Sequence, residues 1–462
     1  MITRHCRGWT KIQDAYACER LLIPCFLALS TIALLLTLPR AAHGSDSSSS
    51  PDFKAATDAI ADLSRACEHD DGALWRISLC GPMILVAPDG RHALLTHSDP
   101  QHQFEQRASF FFGSLPEDIL AANTSVHWGN QDWAMVMLPL PENRFDRIKL
   151  LAHESFHRVQ MAWHLPGDDP MNEQLDTEAG RLWLRLELRA LAKSLRSSGS
   201  TARQSAADAM LFRAYRDSLF ADAARRESAL EMREGLAEYT GSVIALHETG
   251  EVVDRVARQV ESAEDQTSLA RSFAYATGPA LGILLDRYSA GWRQRIMQTG
   301  SLAKLLTGAV GELPPEEKWA SESQQRAVAY GYQAVATEER EQEARREAQL
   351  RLFKERFIDG PVLRFPTESE MQREFDPHIL LAFPPYGTVY PTGTFSANWG
   401  KLQVEDIGAL VAPDNQSLRI VAPADVQARP LHGPGWQLEL KPGWSVRPGS
   451  RPGDFVVVEP KE

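Results

Sequence analysis

Cysteine is scarce. The 462-residue chain has five, and three of them (Cys6, Cys18 and Cys25) fall in its first segment. Beyond it only Cys67 and Cys80 remain, which excludes a scaffold stapled by several disulfides. No second Cys/His pair lies near either residue, so a cysteine-based metal cluster is excluded too. Two cysteines separated by a short loop in an exported chain are expected to form one disulfide, Cys67–Cys80; two buried free thiols are the competing expectation. Positive charge is also short: Lys and Arg number 49 against 61 Asp and Glu, a formal charge of −12. That balance argues against a nucleic-acid partner, and the acidity is spread along the chain, where it serves solubility. No internal repeat of fixed period is visible.

Long apolar runs are limited to residues 21–38, preceded by several basic residues and followed by Pro39, Arg40, Ala41, Ala42 and Gly44, then the serine-rich 45–50. This is the make-up of a secretory signal cleaved near Gly44, which implies a periplasmic or secreted protein. An uncleaved membrane anchor is the other reading, because the run reaches the lower edge of spanning length. No cysteine stands at the exit, which argues against a lipoprotein anchor.

What remains is ample for a core, with 43% hydrophobic residues. Residues 45–142 read as a β-rich portion, opened by a helical stretch at 56–68. Short β-like runs follow at 74–79, 83–87, 92–96 and 133–140, with Pro88-Asp89-Gly90 as a hairpin turn. Residues 143–312 read as helical, with helices expected over 145–163, 177–195, 206–224, 228–247, 252–264 and 269–288. Residues 313–360 form a charged helical segment, with helix over 324–357 and a heavily charged, solvated stretch at 338–347. Residues 361–462, rich in Pro and Gly, read as a small β domain with strands at 418–421, 436–440 and 455–458. The fold class expected is α+β.

The chemistry concentrates in residues 150–160, which contain His153, Glu154 and His157 in an HExxH pattern. Four positions make slightly more than one helical turn, so both imidazoles share a face and can hold one zinc ion. A carboxylate next to the first histidine can reach water at the metal. Leu150, Leu151, Phe156 and Val159 supply the apolar face such a helix needs. Arg158 fits least well, because strict zinc-peptidase patterns prefer an uncharged residue there. A third protein ligand is required. The metzincin spacing fails, since positions 160 and 163 hold Gln160 and Trp163; Asp176, Glu178 and Glu187 are within sequence reach.

A better third ligand lies in Glu234-Gly-Leu-Ala-Glu-Tyr239. This string resembles the second motif of the gluzincin (MA-clan) zinc metallopeptidases, in which the glutamate before Gly-x-Ala is a zinc ligand. The resemblance implies a zincin-like catalytic domain with Zn2+ on His153, His157 and Glu234. Gly235 is expected to permit close approach to the HExxH helix, and Glu238 to accept the second N–H of a ligating histidine. Tyr275-Ala-Thr-Gly278 resembles the Tyr-x-x-Gly stretch of aminopeptidase-like gluzincins, which implies that Tyr275 stabilises an oxyanion; a half-buried core tyrosine is the bland alternative. The expected activity is hydrolysis of a peptide or protein substrate, with Glu154 as general base and residues 133–138 as an edge strand for the substrate. Two rival readings stay open: an inactive zincin-like scaffold of the envelope, and a zinc hydrolase of a non-peptide amide or ester.

Overall fold

A computed structural model describes residues 53–163, 170–246, 249–266, 268–366, 371–375, 380–406, 408–414 and 417–459. The apolar run at 21–38, with the expected signal or anchor, lies outside the described residues. Among the described residues no helix is long and apolar enough to cross a membrane.

The architecture is mixed α/β, with a helical middle between two strand-rich parts. Helix α1 (Lys54–Asp70) leads into a six-stranded sheet of β1 (Met83–Val86), β2 (His92–Leu95), β3 (Glu105–Arg107), β4 (Phe110–Ser114), β5 (Thr124–Trp128) and β6 (Gln131–Met137). The order is β3-β4-β2-β1-β6-β5. The anticipated hairpin is present: β1 and β2 pair antiparallel, Gly90 takes φ +70°, and Asp89 Oδ1 accepts the amides of Arg91 and His92 at 2.8 and 2.9 Å. Alternating residues send Met83, Leu85, Ala134 and Val136 to the helical core and Ile84, Val86, Trp133 and Met135 to a second core on the far face. Burial on both faces suits the near-continuous apolar strands β1 and β6.

Two expectations about this region need correction. Residues 74–79 form turns and bends, because Trp75 leaves the sheet to pack among Phe156, Trp163, Tyr239 and Trp292. The strand at 133–138 is not an edge: β6 pairs with β1 in parallel and with β5 antiparallel, and among the described residues the edges of this sheet are β3 and β5. Cys67 and Cys80 stand as free thiols, one buried and one half-buried, and no disulfide is shown between them.

The middle of the chain holds α2 (Arg144–Ala162), α3 (Glu178–Arg196), α4 (Gly199–Leu219), α5 (Ala223–Leu230), a π-helical turn (Glu231–Gly235), α6 (Leu236–Ala245), α7 (Thr249–Ala263), α8 (Phe273–Tyr288), α9 (Trp292–Thr299), α10 (Leu302–Val310), α11 (Trp319–Ala327) and α12 (Tyr332–Lys354). Asn143 starts α2 by accepting the amides of Phe145 and Asp146. The helix expected over 206–224 ends at Leu219, and Asp222, at φ 61°, separates it from α5. The helix expected over 324–357 is split at Gly331, φ +82°. The charged stretch of α12 is not wholly solvated: Glu339 is buried and accepts from Arg181 Nε at 3.0 Å and Arg185 Nη1 at 2.7 Å.

Glycines set how closely the central helices approach. A Cβ on Gly278 of α8 would lie 2.2 Å from the Gly235 Cα, and one on Gly241 of α6 would lie 2.5 Å from the Lys149 carbonyl oxygen of α2. Gly235 therefore faces α8, and Gly241 is the residue that admits α2. Below this contact Arg213 and Arg216 are buried with Glu187, Glu227 and Glu231. Arg213 bridges Glu187 at 2.8 Å and Glu231 at 2.6 and 2.7 Å, and Arg216 reaches Glu187 at 2.6 Å.

The last part holds β7 (Val362–Arg364), β8 (Gln372–Glu374), β9 (Leu381–Phe383), β10 (Gly387–Tyr390), β11 (Gly393–Ala397), β12 (Gly400–Val404), β13 (Ala409–Val411), β14 (Leu418–Val421), β15 (Leu431–Gly433), β16 (Trp436–Leu440), β17 (Ser445–Pro448) and β18 (Phe455–Val458). They form a seven-stranded sheet, β17-β18-β7-β14-β13-β10-β9, and a five-stranded sheet, β15-β16-β12-β11-β8. The first and last strands, β7 and β18, pair in parallel, and Asp454 Oδ1 accepts the Val362 amide at 3.0 Å.

Gly278→Ala would drive a methyl into the Gly235 backbone. The expected result is a loss of about 1–3 kcal/mol, the usual magnitude for overpacking, read as a lower denaturation midpoint. A variant as stable as the parent would show that α8 and the π turn separate freely.

Candidate metal centre

Helix α2 carries His153, Glu154 and His157, and the π turn and α6 carry Glu234 and Glu238 against them. All five line one cleft of about 400 Å³ together with Tyr275 of α8, Lys149, Arg233, Arg271 and the β5 residue Thr124. A carboxylate oxygen of Glu154 and a ring nitrogen of each histidine lie within 4.8 Å of one another, a buried group that can hold a metal ion. His153 Nε2 and His157 Nε2 are 3.0 Å apart, and Glu234 Oε2 is 3.5 Å from each.

The second nitrogen of each ring is anchored. His153 Nδ1 lies 3.1 Å from Glu238 Oε2, and His157 Nδ1 lies 2.7 Å from Gln160 Oε1. Both partners are acceptors, so both Nδ1 atoms donate. The orientation of the Gln160 amide is fixed because its Nε2 donates to the Met232 and Arg233 carbonyls at 2.8 and 3.0 Å. The π turn makes this possible. The Leu236 amide bonds to Glu231 rather than to Met232, which frees the Met232 carbonyl for Gln160.

A second helix irregularity does the same on the other side. Pro279, inside α8, has no N–H to give the Tyr275 carbonyl. Gln259 Nε2 of α7 takes that carbonyl at 2.8 Å and also donates to Glu238 Oε1 at 2.8 Å. Lys149 Nζ contacts the same Glu238 oxygen. Burial pushes the Glu238 carboxyl up, but hydrogen bonding to His153 and the Lys149 charge outweigh it and hold it at about 2. Burial also works against a charged His153, yet hydrogen bonds with Glu234 and Glu238 bring it to about 9. Glu234 is held well below the usual carboxylate range: burial raises it, and hydrogen bonds to His153 and His157 more than reverse this. Glu154 is raised, chiefly by burial, and its Oε2 has no hydrogen-bond partner.

The donor set fits a small cation. With both Nδ1 atoms donating, the two Nε2 lone pairs would meet across 3.0 Å, and a shared proton or a metal ion relieves that. Bonds of about 2.0–2.1 Å at tetrahedral angles place ligand atoms roughly 3.3–3.4 Å apart. The separations of 3.0, 3.5 and 3.5 Å bracket that spacing.

The sequence-derived residues divide cleanly. His153, Glu154, His157, Glu234, Glu238 and Tyr275 come together. Tyr275 OH donates to Glu234 Oε2 at 2.7 Å, and its ring stacks on His153. The Cys67–Cys80 pair lies elsewhere, beside Ser64 and Gly72. Asp176 is spent on Ser268 and the Leu269 amide, and Glu187 on Arg213 and Arg216, so neither competes with Glu234. Arg158 does not line the cleft. Its Nη2 donates to the Leu79 carbonyl at 3.2 Å, and its guanidinium fills the space a Cβ on Gly81 would take. Gln160, Gln259, Lys149, Arg233 and Arg271 were not singled out from sequence. The only signals were Pro279 after the Tyr-x-x-Gly stretch and the polar Gln160 one turn beyond Phe156 on a helix with an apolar face.

Gln160→Met keeps the side chain's bulk but removes its amide. Metal affinity, read by titration against a chelating indicator, is expected to fall about 10–100-fold, as for other groups that orient a ligating histidine. Unchanged affinity would mean that His157 needs no orienting partner. No family model, curated protein or solved structure matches this chain.

Proposed function

We propose that the chain is a zinc-dependent hydrolase acting on peptide bonds, with a gluzincin-type site formed by His153, His157 and Glu234. One observation carries this reading: two histidine Nε2 atoms face each other at 3.0 Å, with one oxygen of Glu234 3.5 Å from both. Two imidazoles and a carboxylate are a ligand set typical of catalytic zinc, which leaves a position open. When bound, zinc supplies a Lewis acid that polarises a carbonyl and activates water near neutral pH.

The chain's own residues then have distinct tasks. Glu154, buried and with an unpartnered Oε2, takes the proton from water and returns it to the leaving amine. Burial raises its carboxyl, which favours holding that proton between the two transfers. Glu238 fixes the tautomer of His153, and Gln160 fixes that of His157. Tyr275 donates its one O–H to Glu234 at 2.7 Å, and turning it away from that carboxylate would offer a donor to the developing oxyanion. β5 is an edge strand among the described residues and has Thr124 in the cleft, which supports strand addition as the way an extended peptide would bind.

Glu154→Gln is expected to keep zinc and to lower kcat by about 10²–10⁴, the range for losing a general base. A peptide-library digest with this variant as control reads the effect, and a fully active variant would overturn the mechanism. Glu234→Ala is expected to lose zinc, measured as metal per chain by elemental analysis. Full zinc occupancy in that variant would remove Glu234 from the ligand set.

A further inference from the structure

A second cavity, of about 880 Å³, lies between α4, α5, α9, α10 and α11. No residue lines both it and the metal cleft, so the two sites are tested separately. One face of α4 forms a wall, because Met210, Arg213, Ala214 and Asp217 recur at helical spacing. Met232 of the π turn, Met297 of α9 and Trp319 of α11 line it as well. The volume falls within the roughly 300–1,000 Å³ of small-molecule sites. Methionines suit such a wall, since an unbranched thioether adapts to irregular apolar shapes.

The polar side chains of this wall are spent on protein partners or exposed to solvent, with one exception. Ser228 Oγ donates to Ser301 Oγ at 2.9 Å, and the Thr299 and Thr307 hydroxyls donate to the Arg295 and Ala303 carbonyls at 3.0 and 2.9 Å. Glu187 and Glu231 take the Arg213 guanidinium, and Asp222 takes that of Arg225. The Trp319 indole N–H goes to the Pro314 carbonyl at 2.8 Å, which leaves the ring as what this residue can offer. Lys304 and Glu316 are exposed. The exception is Asp217. Its Oδ1 is buried without a hydrogen-bond partner, and among the described residues it is the only such side-chain atom on this wall.

A buried carboxyl oxygen without a donor is costly, and it marks where a donor is wanted. Burial and the charge of Glu227 push this carboxyl up to about 7, against the pull of Arg216 and Arg213. It therefore ionises near neutral pH, and an arriving cation would complete it. Arg216 does not fill that role, because Glu187 and Glu227 hold its guanidinium. An anion would be repelled by the same carboxyl. Indole is also the aromatic ring that attracts a cation best.

We propose that this cavity binds a small molecule with a primary ammonium group on an apolar body. The ammonium donates to Asp217 Oδ1, and the apolar body packs against Met210, Met232 and Met297. An ammonium suits a single buried oxygen better than a guanidinium does, because it is compact and its three donors meet that oxygen from any rotation.

The test uses the full chain and three probes of equal length, n-octylamine, n-octanol and n-octanoate, titrated calorimetrically at neutral pH. The amine is expected to bind at least about tenfold tighter than the alcohol, the scale of one charged hydrogen-bonded pair. Octanoate is expected to bind more weakly than either. Asp217→Asn keeps the side chain's size and removes its charge. It should bring the amine down to the affinity of the alcohol and leave the alcohol unchanged. Ala229→Trp adds an indole to the cavity wall and should abolish binding of both. Circular dichroism checks that each variant keeps the parent's fold. If Asp217→Asn does not fold, the amine preference of the parent and its loss in Ala229→Trp decide in its place. Absence of amine binding, equal affinity of amine and alcohol in the parent, an amine preference that survives Asp217→Asn, or amine binding that survives Ala229→Trp overturns the site.

Discussion

Main-chain carbonyls released by irregular helix geometry are the constraint on which the centre depends. A regular helix consumes its own carbonyls and leaves none inside for a side chain to use. Here the π turn releases the Met232 carbonyl and Pro279 releases that of Tyr275, and a glutamine amide takes each. Gln160 then holds His157, and Gln259 holds Glu238, which holds His153. The π turn and α8 are thus tied to the two imidazoles through backbone atoms, which cannot change rotamer. Such an arrangement limits how far the ligand atoms can drift, which a metal site needs more than strength in any single bond.

Close packing makes these bonds reachable. The Gly235–Gly278 contact brings the backbones of the π turn and α8 together, and Gly241 does the same for α6 and α2. The buried ions nearby are part of this arrangement. Glu231, at the start of the π turn, is held by Arg213 and also accepts from Thr277, the neighbour of Gly278. Buried charges of this kind add little net stability, since desolvation offsets their attraction, but an unpaired member is costly. Their effect is to allow one registration of α3, α4, the π turn and α8 and to penalise its neighbours.

Much of this was legible in the sequence, and what was not has physical reasons. Helical period alone brings His153 and His157 to one face, and the Glu234/Glu238 spacing survives the π turn well enough for both to meet His153. The Pro-Asp-Gly hairpin and the strands at 418–421, 436–440 and 455–458 follow from turn chemistry and alternation. Gly235 was matched to the wrong partner because a sequence marks a close approach without saying to which helix. Gln160 was read only as a departure from another motif, since its role exists only once a π turn has freed a carbonyl. Residues 74–79 have strand-like composition, but Trp75 gains more from an aromatic cluster than from a sheet. Helices α9 and α10 escaped notice because each is too short for its periodicity to stand out.

The pairing of β7 with β18 has a consequence for the history of the chain. The first and last strands of the C-terminal part lie side by side, and Asp454 joins them a second time through the Val362 amide. A segment whose two ends are neighbours can be spliced into or out of a host at a single point on its surface, with no strand left unpaired inside. The sheet shares a core with Phe353 and Phe357, so any exchange of the segment would have to carry the end of α12 with it.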